Sequence, residues 1–452
     1  MIYAILKFVF RITVRVFFRK LEVKGAGNIP EKGPLFIVAN HPSGFMDPIV
    51  IAAQIKRRCY FIAKGAAFQN KFAKWILPKF NMIPIYRASE TPDQMHKNQD
   101  IFNLCYEHFE NGGAIIIFPE GISLTERKIK QIKTGTARMS LGAEAKNNYS
   151  LGMKIVAVGL NFSNPHKFQS DLFMNIDEPI NVSDFYEAHK ADSFKGAHAL
   201  TDEIRKRIEK QVVAIQSEET DKLVADIEVI YKAQLIRDAA PEFSEMEKDF
   251  RVTKAISDSV HYNMEHDPER VEKFRTQIND YFDKLERLSL HDSRIHTLSN
   301  RGIRMYKLIF SFLYLIIGFP LFLFGVINNY LPFRIPFFTA RAMTDRPEFY
   351  GSIFITIGTL TFLVFYSVQI WLVNYFTHDW RIVLAYAAML PISGFFAFYY
   401  RKKFTNIRGN WMVFTIFSRK ATLIAELIRM REKIIEELEK GKEEYEKMAV
   451  IV

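Results

Sequence analysis

The chain reads as an α/β protein, a mixed sheet flanked by helices, followed by a charged helical insert and C-terminal transmembrane helices. Three observations predict this. From about residue 20 to 185, short apolar runs alternate with helical stretches, as strands do when the helices between them cover a sheet. From about 198 to 300 the chain is charged and strongly helical, with Pro241 and Pro268 as its only prolines. From Tyr306 the composition turns apolar, in runs long enough to span the roughly 30 Å hydrocarbon core of a bilayer.

The elements follow in chain order. Met1 to Phe18 is apolar, but Lys7, Arg11 and Arg15 recur at four-residue spacing and so share one helical face. Ile5, Phe8, Phe10, Val14, Phe17 and Phe18 cover much of the rest, and no small-residue cleavage site follows. Residues 1–19 are therefore expected to form an uncleaved amphipathic helix in the membrane interface; a shallow first core helix is the alternative. Residues 20–197 form the α/β domain. Its expected strands are Leu35–Ala39, Cys59–Ala63, Met82–Tyr86, Ala114–Phe118, Lys154–Asn161 and Phe173–Ile176. Its expected helices are Pro48–Ile55, Phe72–Phe80, Pro92–Glu110 and Gly135–Lys146. Residues 198–304 read as several amphipathic helices without a catalytic motif, packed on the first domain, sitting over its site, or acting as a plain spacer.

Residues 305–403 form a membrane domain with two or three spans: Leu308–Leu331, Ile353–Phe376 and the shorter Ile382–Tyr400. Tyr and Trp cluster at the ends of these runs, as interface anchors do. Arg401, Lys402, Lys403, Arg408, Arg419 and Lys420 then form a basic region expected to face the cytoplasm. A cytoplasmic catalytic domain and a cytoplasmic basic region require an even number of crossings. One of the three runs is then re-entrant, or the last two form a hairpin that does not cross fully. Residues 404–452 comprise this basic region and a Glu/Lys-rich helix, Leu423–Met448, of the kind that is usually just solvated.

Composition narrows the partners. Of 452 residues, 49% are hydrophobic and 14% aromatic, with 41 phenylalanines, a load that suits a protein partly dissolved in lipid. The formal net charge is +11 at pH 7. Because the basic residues adjoin apolar segments, an anionic membrane surface fits better than nucleic acid. Cys59 and Cys105 are the only cysteines, too few for a disulfide framework and expected to be packing residues in a reducing compartment. No Cys/His cluster has metal-ligand spacing, and nothing requires a redox cofactor. A transporter is disfavoured, because the interiors of the apolar runs contain no Asp, Glu, Lys or Arg.

The chemistry concentrates in two turns. Asn40-His41-Pro42-Ser43-Gly44-Phe45-Met46-Asp47-Pro48 lies between an apolar strand and the start of a helix. A His and an Asp there suffice to deprotonate a hydroxyl: the carboxylate holds the imidazole and stabilises its cation, while the imidazole takes the proton. The plainer reading is an Asp that caps the helix and a polar turn His. Phe118-Pro119-Glu120-Gly121 follows the strand Ala114–Ile117 and precedes Ser123, Thr125, Arg127, Lys128, Lys130 and Lys133. Glu120 can accept from a hydroxyl and the turn amides can donate to phosphate oxygens; a tight turn with a solvated charge run is the plainer alternative. Lys64 and Arg87 each follow an apolar strand. Ligands of α/β sheets collect outside the carboxyl ends of the strands, so both cations can reach the same pocket.

The order of these blocks resembles the glycerolipid (PlsC-type) acyltransferase superfamily over about residues 20–185. The resemblance rests on Asn40-His41-Pro42 to Asp47-Pro48, Met82 to Arg87, Phe118-Pro119-Glu120-Gly121, and Lys154 to Asn161 in the place of a fourth block. With the membrane runs and the helical insert, the chain is most similar to the fungal-type glycerol-3-phosphate/dihydroxyacetone-phosphate acyltransferase branch. Five residues separate His41 from Asp47, where that family usually has four; the carboxylate reaches the imidazole if the turn bulges by one residue at Gly44, and the pair is broken if it does not. The resemblance implies transfer of a fatty acyl group from an acyl thioester (acyl-CoA or acyl-carrier protein, a co-substrate rather than a cofactor) to glycerol-3-phosphate or dihydroxyacetone phosphate. His41 would be the general base and Asp47 its partner. Lys64, Arg87, Glu120, Gly121 and Ser123 would bind the acceptor, with no metal. Lysophosphatidate or another lysolipid is the rival acceptor, and an inactive membrane lipid-binding or scaffold protein is the rival class. The expected location is an integral membrane protein with its catalytic domain on the cytoplasmic side; the oligomeric state is open.

Overall fold

The computed structural model describes residues 2–86, 92–215, 217–293, 295, 305–419 and 421–449. It divides into two units: residues 1–216 with 340–356, and residues 217–339 with 357–452.

The first unit is built on an eight-stranded mixed sheet. Its strands are β1 (Lys20–Lys24), β2 (Leu35–Ala39), β3 (Cys59–Lys64), β4 (Met82–Ile85), β5 (Ala114–Ile117), β6 (Lys154–Phe162), β7 (Asp171–Ile176) and the short β8 (Ile180–Asn181). The order is β1-β7-β6-β2-β5-β3-β4, with β8 beside β6. The pairs along β6-β2-β5-β3-β4 are parallel. β6 is antiparallel to β7 and β8, while β1 is parallel to β7. β2 is central, and all five of its residues are fully buried. It can be a continuous apolar run because both faces of a parallel sheet are covered. Phe36 and Val38 face one layer with Ile115, Ile117, Ile155 and Ala157; Leu35, Ile37 and Ala39 face the other with Ile116, Val156 and Val158.

The helices of the first unit are α1 (Ile2–Phe17), α2 (Met46–Gln54), α3 (Lys71–Ile76), α4 (Asn98–Glu110), α5 (Gly135–Lys146), α6 (Tyr186–Ala191) and α7 (Ser193–Gln211). Cys105 and Phe109 of α4, Met139 and Leu141 of α5, and Leu200, Ile204 and Ile208 of α7 fill the first layer; Ile51 and Ala52 of α2 fill the second. Burial pushes the Cys59 and Cys105 thiols up to about 12, as inert packing residues require. Helix α7 corrects the boundary at 198: it belongs to the α/β unit, because its apolar stripe completes the sheet's cover rather than a separate insert. The helix expected from Pro92 starts its α-helical part at Asn98, after a tighter turn over Pro92–Lys97.

Helix α1 has two apolar faces. Val14 and Phe17 pack with Phe18, Met46, Val50 and Ala53, and the Lys7 ammonium donates to the carbonyls of Ile55, Lys56 and Arg57 at 2.7–3.2 Å. Ile5, Phe8, Ile12 and Val16 form an exposed stripe. The helix therefore packs on its own domain, as the core-helix alternative has it, and leaves an apolar stripe exposed.

The second unit contains the helices Glu218–Asp238, Glu245–His266 and Pro268–Arg287, together with Ala421–Ala449. The last is not merely solvated: Ile424, Leu427 and Ile434 are buried, and Arg270 pairs with Glu437 and Glu444. Within this unit Arg431 donates at 2.8 Å to the carboxylate of buried Asp292, which also accepts from the Tyr281 hydroxyl at 2.7 Å.

Among the described residues, three helices are long and apolar enough to cross a membrane: Phe310–Met343, Pro347–Thr377 and Trp380–Arg408. Large apolar side chains such as Ile317, Ile327, Leu360, Phe376 and Leu384 stand exposed along them, which lipid satisfies and water does not. The chain is that of a membrane protein. The third helix runs unbroken from Trp380 to Arg419, so Arg401, Lys402, Lys403 and Arg408 continue the third span instead of opening a separate region.

Candidate active site

The site is built where β2 ends. As the main chain leaves the sheet after Ala39, the Asn40 side chain continues the ladder: its amide donates to the Leu160 carbonyl at 3.1 Å and its oxygen accepts from the Leu160 N–H at 2.8 Å. This fixes the base of the turn that carries His41. Asn40 stands in the sequence motif without showing there that it extends the strand; an Asn directly after an apolar strand is the available signal.

His41 Nδ1 lies 2.8 Å from Asp47 Oδ2. With the carboxylate as acceptor, Nδ1 carries the proton and the Nε2 lone pair is left for a substrate. The ring stacks on Phe118 with centroids 4.1 Å apart and planes 16° apart, and its side chain is 19% exposed while Asp47 is fully buried. Burial pushes the Asp47 carboxyl up, opposed by the bonds from His41 and the Ser43 N–H. A carboxylate so poorly solvated gains much by holding a proton donor, so it favours the imidazolium that forms when His41 takes a proton.

Five intervening residues fit because Gly44 turns at φ +52°. Helix α2 then starts at Met46, with Asp47 in its first turn. No side chain caps α2 at Phe45; Asp47 reaches back to accept from the Ser43 N–H at 2.8 Å as well as from His41. Tying the turn and holding the imidazole are thus one interaction. A Cβ on Gly44 would lie 2.8 Å from the Phe349 ring. Gly44→Ala is accordingly expected to destabilise the domain by about 1–3 kcal/mol and lower turnover; thermal melting and kcat of the purified variant check both.

The second turn braces the first. Gly121 N–H donates to the Phe118 carbonyl at 3.0 Å, closing Phe118-Pro119-Glu120-Gly121, with Gly121 at φ +77°. Glu120 Oε1 accepts from the His41 N–H at 3.1 Å and Oε2 from the Lys130 N–H at 2.9 Å. Burial pushes its carboxyl up, and the two amides oppose that. Glu120, expected to bind the acceptor, joins three loop segments through these two main-chain amides. Ser123 Oγ, also expected to bind substrate, accepts from the Gly44 N–H at 2.8 Å. Thr125 donates to the Pro42 carbonyl at 2.9 Å, and the Leu124 N–H donates to the His41 carbonyl at 3.2 Å.

Lys64 ends β3, which is parallel to β5 with Phe61 opposite Ile116. It therefore projects from the same sheet edge as His41 and Glu120, two strand spacings from β2, roughly 10 Å. Arg87 lies outside the described residues. Among the described residues, no group of three His, Cys, Asp or Glu side chains could hold a metal ion.

An imidazole–carboxylate pair at the carboxyl edge of a parallel sheet, braced by a Pro-Glu-Gly turn, has the groups needed to deprotonate a hydroxyl. Residues 20–161 match the acyltransferase family model, and the chain is similar to fungal glycerol-3-phosphate acyltransferases.

The chain is similar to three curated proteins at low identity. The chain is 22% identical over 396 residues to an uncharacterised acyltransferase of Schizosaccharomyces pombe, covering 68% of this chain and 57% of that protein. It is 21% identical over 305 residues to glycerol-3-phosphate O-acyltransferase 1 of Saccharomyces cerevisiae, covering 48% of this chain and 40% of the relative. It is 19% identical over 452 residues to glycerol-3-phosphate O-acyltransferase 2 of the same yeast, covering 76% and 59%. The chain thus spans between 40% and 59% of the length of these relatives. A solved structure, the 1-acyl-sn-glycerophosphate acyltransferase PlsC of Thermotoga maritima, aligns with 46% of this chain and 78% of its own at 19% identity; its TM-score of 0.32 is too low to carry an argument.

Proposed function

We propose that this chain transfers a fatty acyl group from an acyl thioester to the hydroxyl of glycerol-3-phosphate, or of dihydroxyacetone phosphate, at a membrane surface. The observation that carries the reading is the 2.8 Å approach of His41 Nδ1 to buried Asp47 Oδ2. His41 Nε2 takes the hydroxyl proton as the oxygen attacks the thioester carbonyl. The carbon–sulfur bond breaks, the ester bond forms, and the proton passes from the imidazolium to the leaving thiolate. The donor is already activated, so no acyl-enzyme is needed. Lys64, Arg87 and the basic stretch after Glu120 would seat the phosphate, and that positioning makes the encounter of two substrates effectively intramolecular. The inactive-scaffold reading needs the carboxylate out of reach of the imidazole, and the geometry speaks against it.

The same reading puts the catalytic domain on the cytoplasmic side, supported by the basic residues Arg401, Lys402, Lys403 and Arg408. One of the three apolar helices must then not cross fully. The test is an assay of sealed microsomes with palmitoyl-CoA and labelled glycerol-3-phosphate, dihydroxyacetone phosphate or lysophosphatidate. Glycerol-3-phosphate is expected to be acylated without detergent. Acylation of lysophosphatidate alone would overturn the acceptor, and activity only after detergent would overturn the sidedness.

A further inference from the structure

The turn that separates His41 from Asp47 is also held by a residue far outside the stretch that matches the acyltransferase family. Ser352 lies in the first turn of the helix Tyr350–Thr377 and is 2% exposed. Its Oγ accepts from the Met46 N–H at 2.9 Å and donates to the Ser43 carbonyl at 2.7 Å. One hydroxyl therefore bridges the two ends of Ser43-Gly44-Phe45-Met46, which the Met46 N–H also closes by donating to the Ser43 carbonyl at 3.0 Å.

The surrounding fit shows that this segment is seated on the turn. The Phe349 ring lies against Gly44, where a side chain would collide at 2.8 Å. Gly351 lets the helix approach so closely that a Cβ there would meet the Pro165 carbonyl oxygen at 2.2 Å and Met46 Cε at 2.9 Å. Ile355, one turn on, is buried with Met46, Val50 and Ala53. Asp47 follows Met46 directly, so any change in the Ser43–Met46 span moves the carboxylate relative to the imidazole.

We propose that Ser352 is a positioning residue for the His41–Asp47 pair, setting the span of the turn between them. This rests on the reading of His41 as general base. Without the hydroxyl, the Ser43 carbonyl loses one donor and the Met46 N–H loses one acceptor. The turn can then relax, and the 2.8 Å contact between imidazole and carboxylate lengthens for part of the time. A displacement near 1 Å at a reacting group can cost roughly 100-fold in rate.

The experiment compares Ser352→Ala, Ser352→Thr and Ser352→Val in the full-length, detergent-solubilised protein. His41→Ala serves as reference and Thr356→Val as control. Thr356 donates to the Ser352 carbonyl at 2.8 Å within the helix, so its loss tests removal of a neighbouring hydroxyl that does not touch the turn. Ser352→Ala is expected to lower kcat by roughly 10- to 100-fold with both KM values near wild type. The acidic limb of its pH–rate profile should move to lower pH, because an imidazolium that has lost part of its carboxylate contact gives up its proton more readily. Thr356→Val should match wild type. If Ser352→Ala fails to fold, the isosteric pair decides: threonine retaining at least tenfold more turnover than valine supports the proposal. Equal turnover in that pair, or a folded Ser352→Ala with wild-type kcat and an unmoved acidic limb, overturns it. If only melting temperature falls, Ser352 is merely structural and the proposal fails. An active His41→Ala would sink the base assignment and this inference together, whereas an inactive His41→Ala beside an unaffected Ser352→Ala sinks this inference alone.

Discussion

Replacing His41 by alanine is expected to lower kcat by about 10³- to 10⁴-fold, while the protein folds, melts near the wild-type temperature and keeps its KM for the acyl donor. The size follows from the work assigned to the ring. An alcohol is a poor nucleophile at neutral pH, and a positioned base that removes its proton as the bond forms accounts for several kcal/mol of barrier. Folding should survive, because the ring is partly exposed and hydrogen-bonds to Asp47, while the turn around it is held by contacts to Glu120, Ser123, Leu124 and Thr125. The variant should keep a slow residual rate from substrate positioning alone. The measurement is steady-state turnover of purified enzyme against both substrates, beside a thermal melt. A folded His41→Ala with a tenth of wild-type turnover would falsify the base assignment.

The centre of this architecture is legible because burial leaves a compositional mark. Strands β2, β5 and β6 are covered on both faces, so Leu35–Ala39, Ala114–Ile117 and Lys154–Phe162 read as nearly unbroken apolar runs. Strand β1 is hidden because Lys-Leu-Glu-Val-Lys sits at the sheet edge, where alternating charges face water. Strand β8 is only two residues long and carries no pattern at all. The membrane helices are legible for the same reason as β2: a long run that water cannot solvate must be covered, here by lipid. The boundary at 198 is misplaced because the charged exterior of α7 hides a stripe of Leu200, Ile204 and Ile208 whose partner is the sheet surface.

The site shows a similar division. Residue types are legible: a His and an Asp near a strand end, then a Pro-Glu-Gly turn. Partners are not. Glu120 looks like a ligand group in sequence, yet it accepts from the amides of His41 and Lys130, because a buried carboxylate needs donors and the nearest ones are main-chain. Ser352 has no sequence signal, since a hydroxyl in the first turn of an apolar helix is ordinary until the fold brings Ser43 and Met46 to it. Local pattern reports which groups are unusual, whereas hydrogen-bond partners depend on chain closure over hundreds of residues.

The second large effect is expected from Asp47→Asn, and it should separate activity from stability. Turnover should fall about 10²- to 10⁴-fold. Two causes act together. The amide carries no charge, so the imidazolium formed in the transition state loses its counter-ion in a site sheltered from water, where such an interaction is strong. The amide can also turn its NH₂ toward Nδ1, which then holds the wrong tautomer and leaves Nε2 protonated, unable to accept. Stability should move the other way or not at all. Burial raises the Asp47 carboxyl above its ordinary 3.8, so the folded state holds the proton more tightly than the unfolded chain. That contribution is fully present below the ordinary carboxylate range and is lost as pH rises through the folded value. Asn at this position does not titrate. The variant should therefore gain in melting temperature relative to wild type as pH is raised from about 4 toward 7. Equal melting curves across that range would mean that the carboxylate is fully compensated in its pocket, and near-normal turnover would show that the ring needs no anion behind it. An enzyme that gains stability while losing most of its rate would locate, in this one buried carboxylate, a cost that the fold tolerates for the sake of the imidazole beside it.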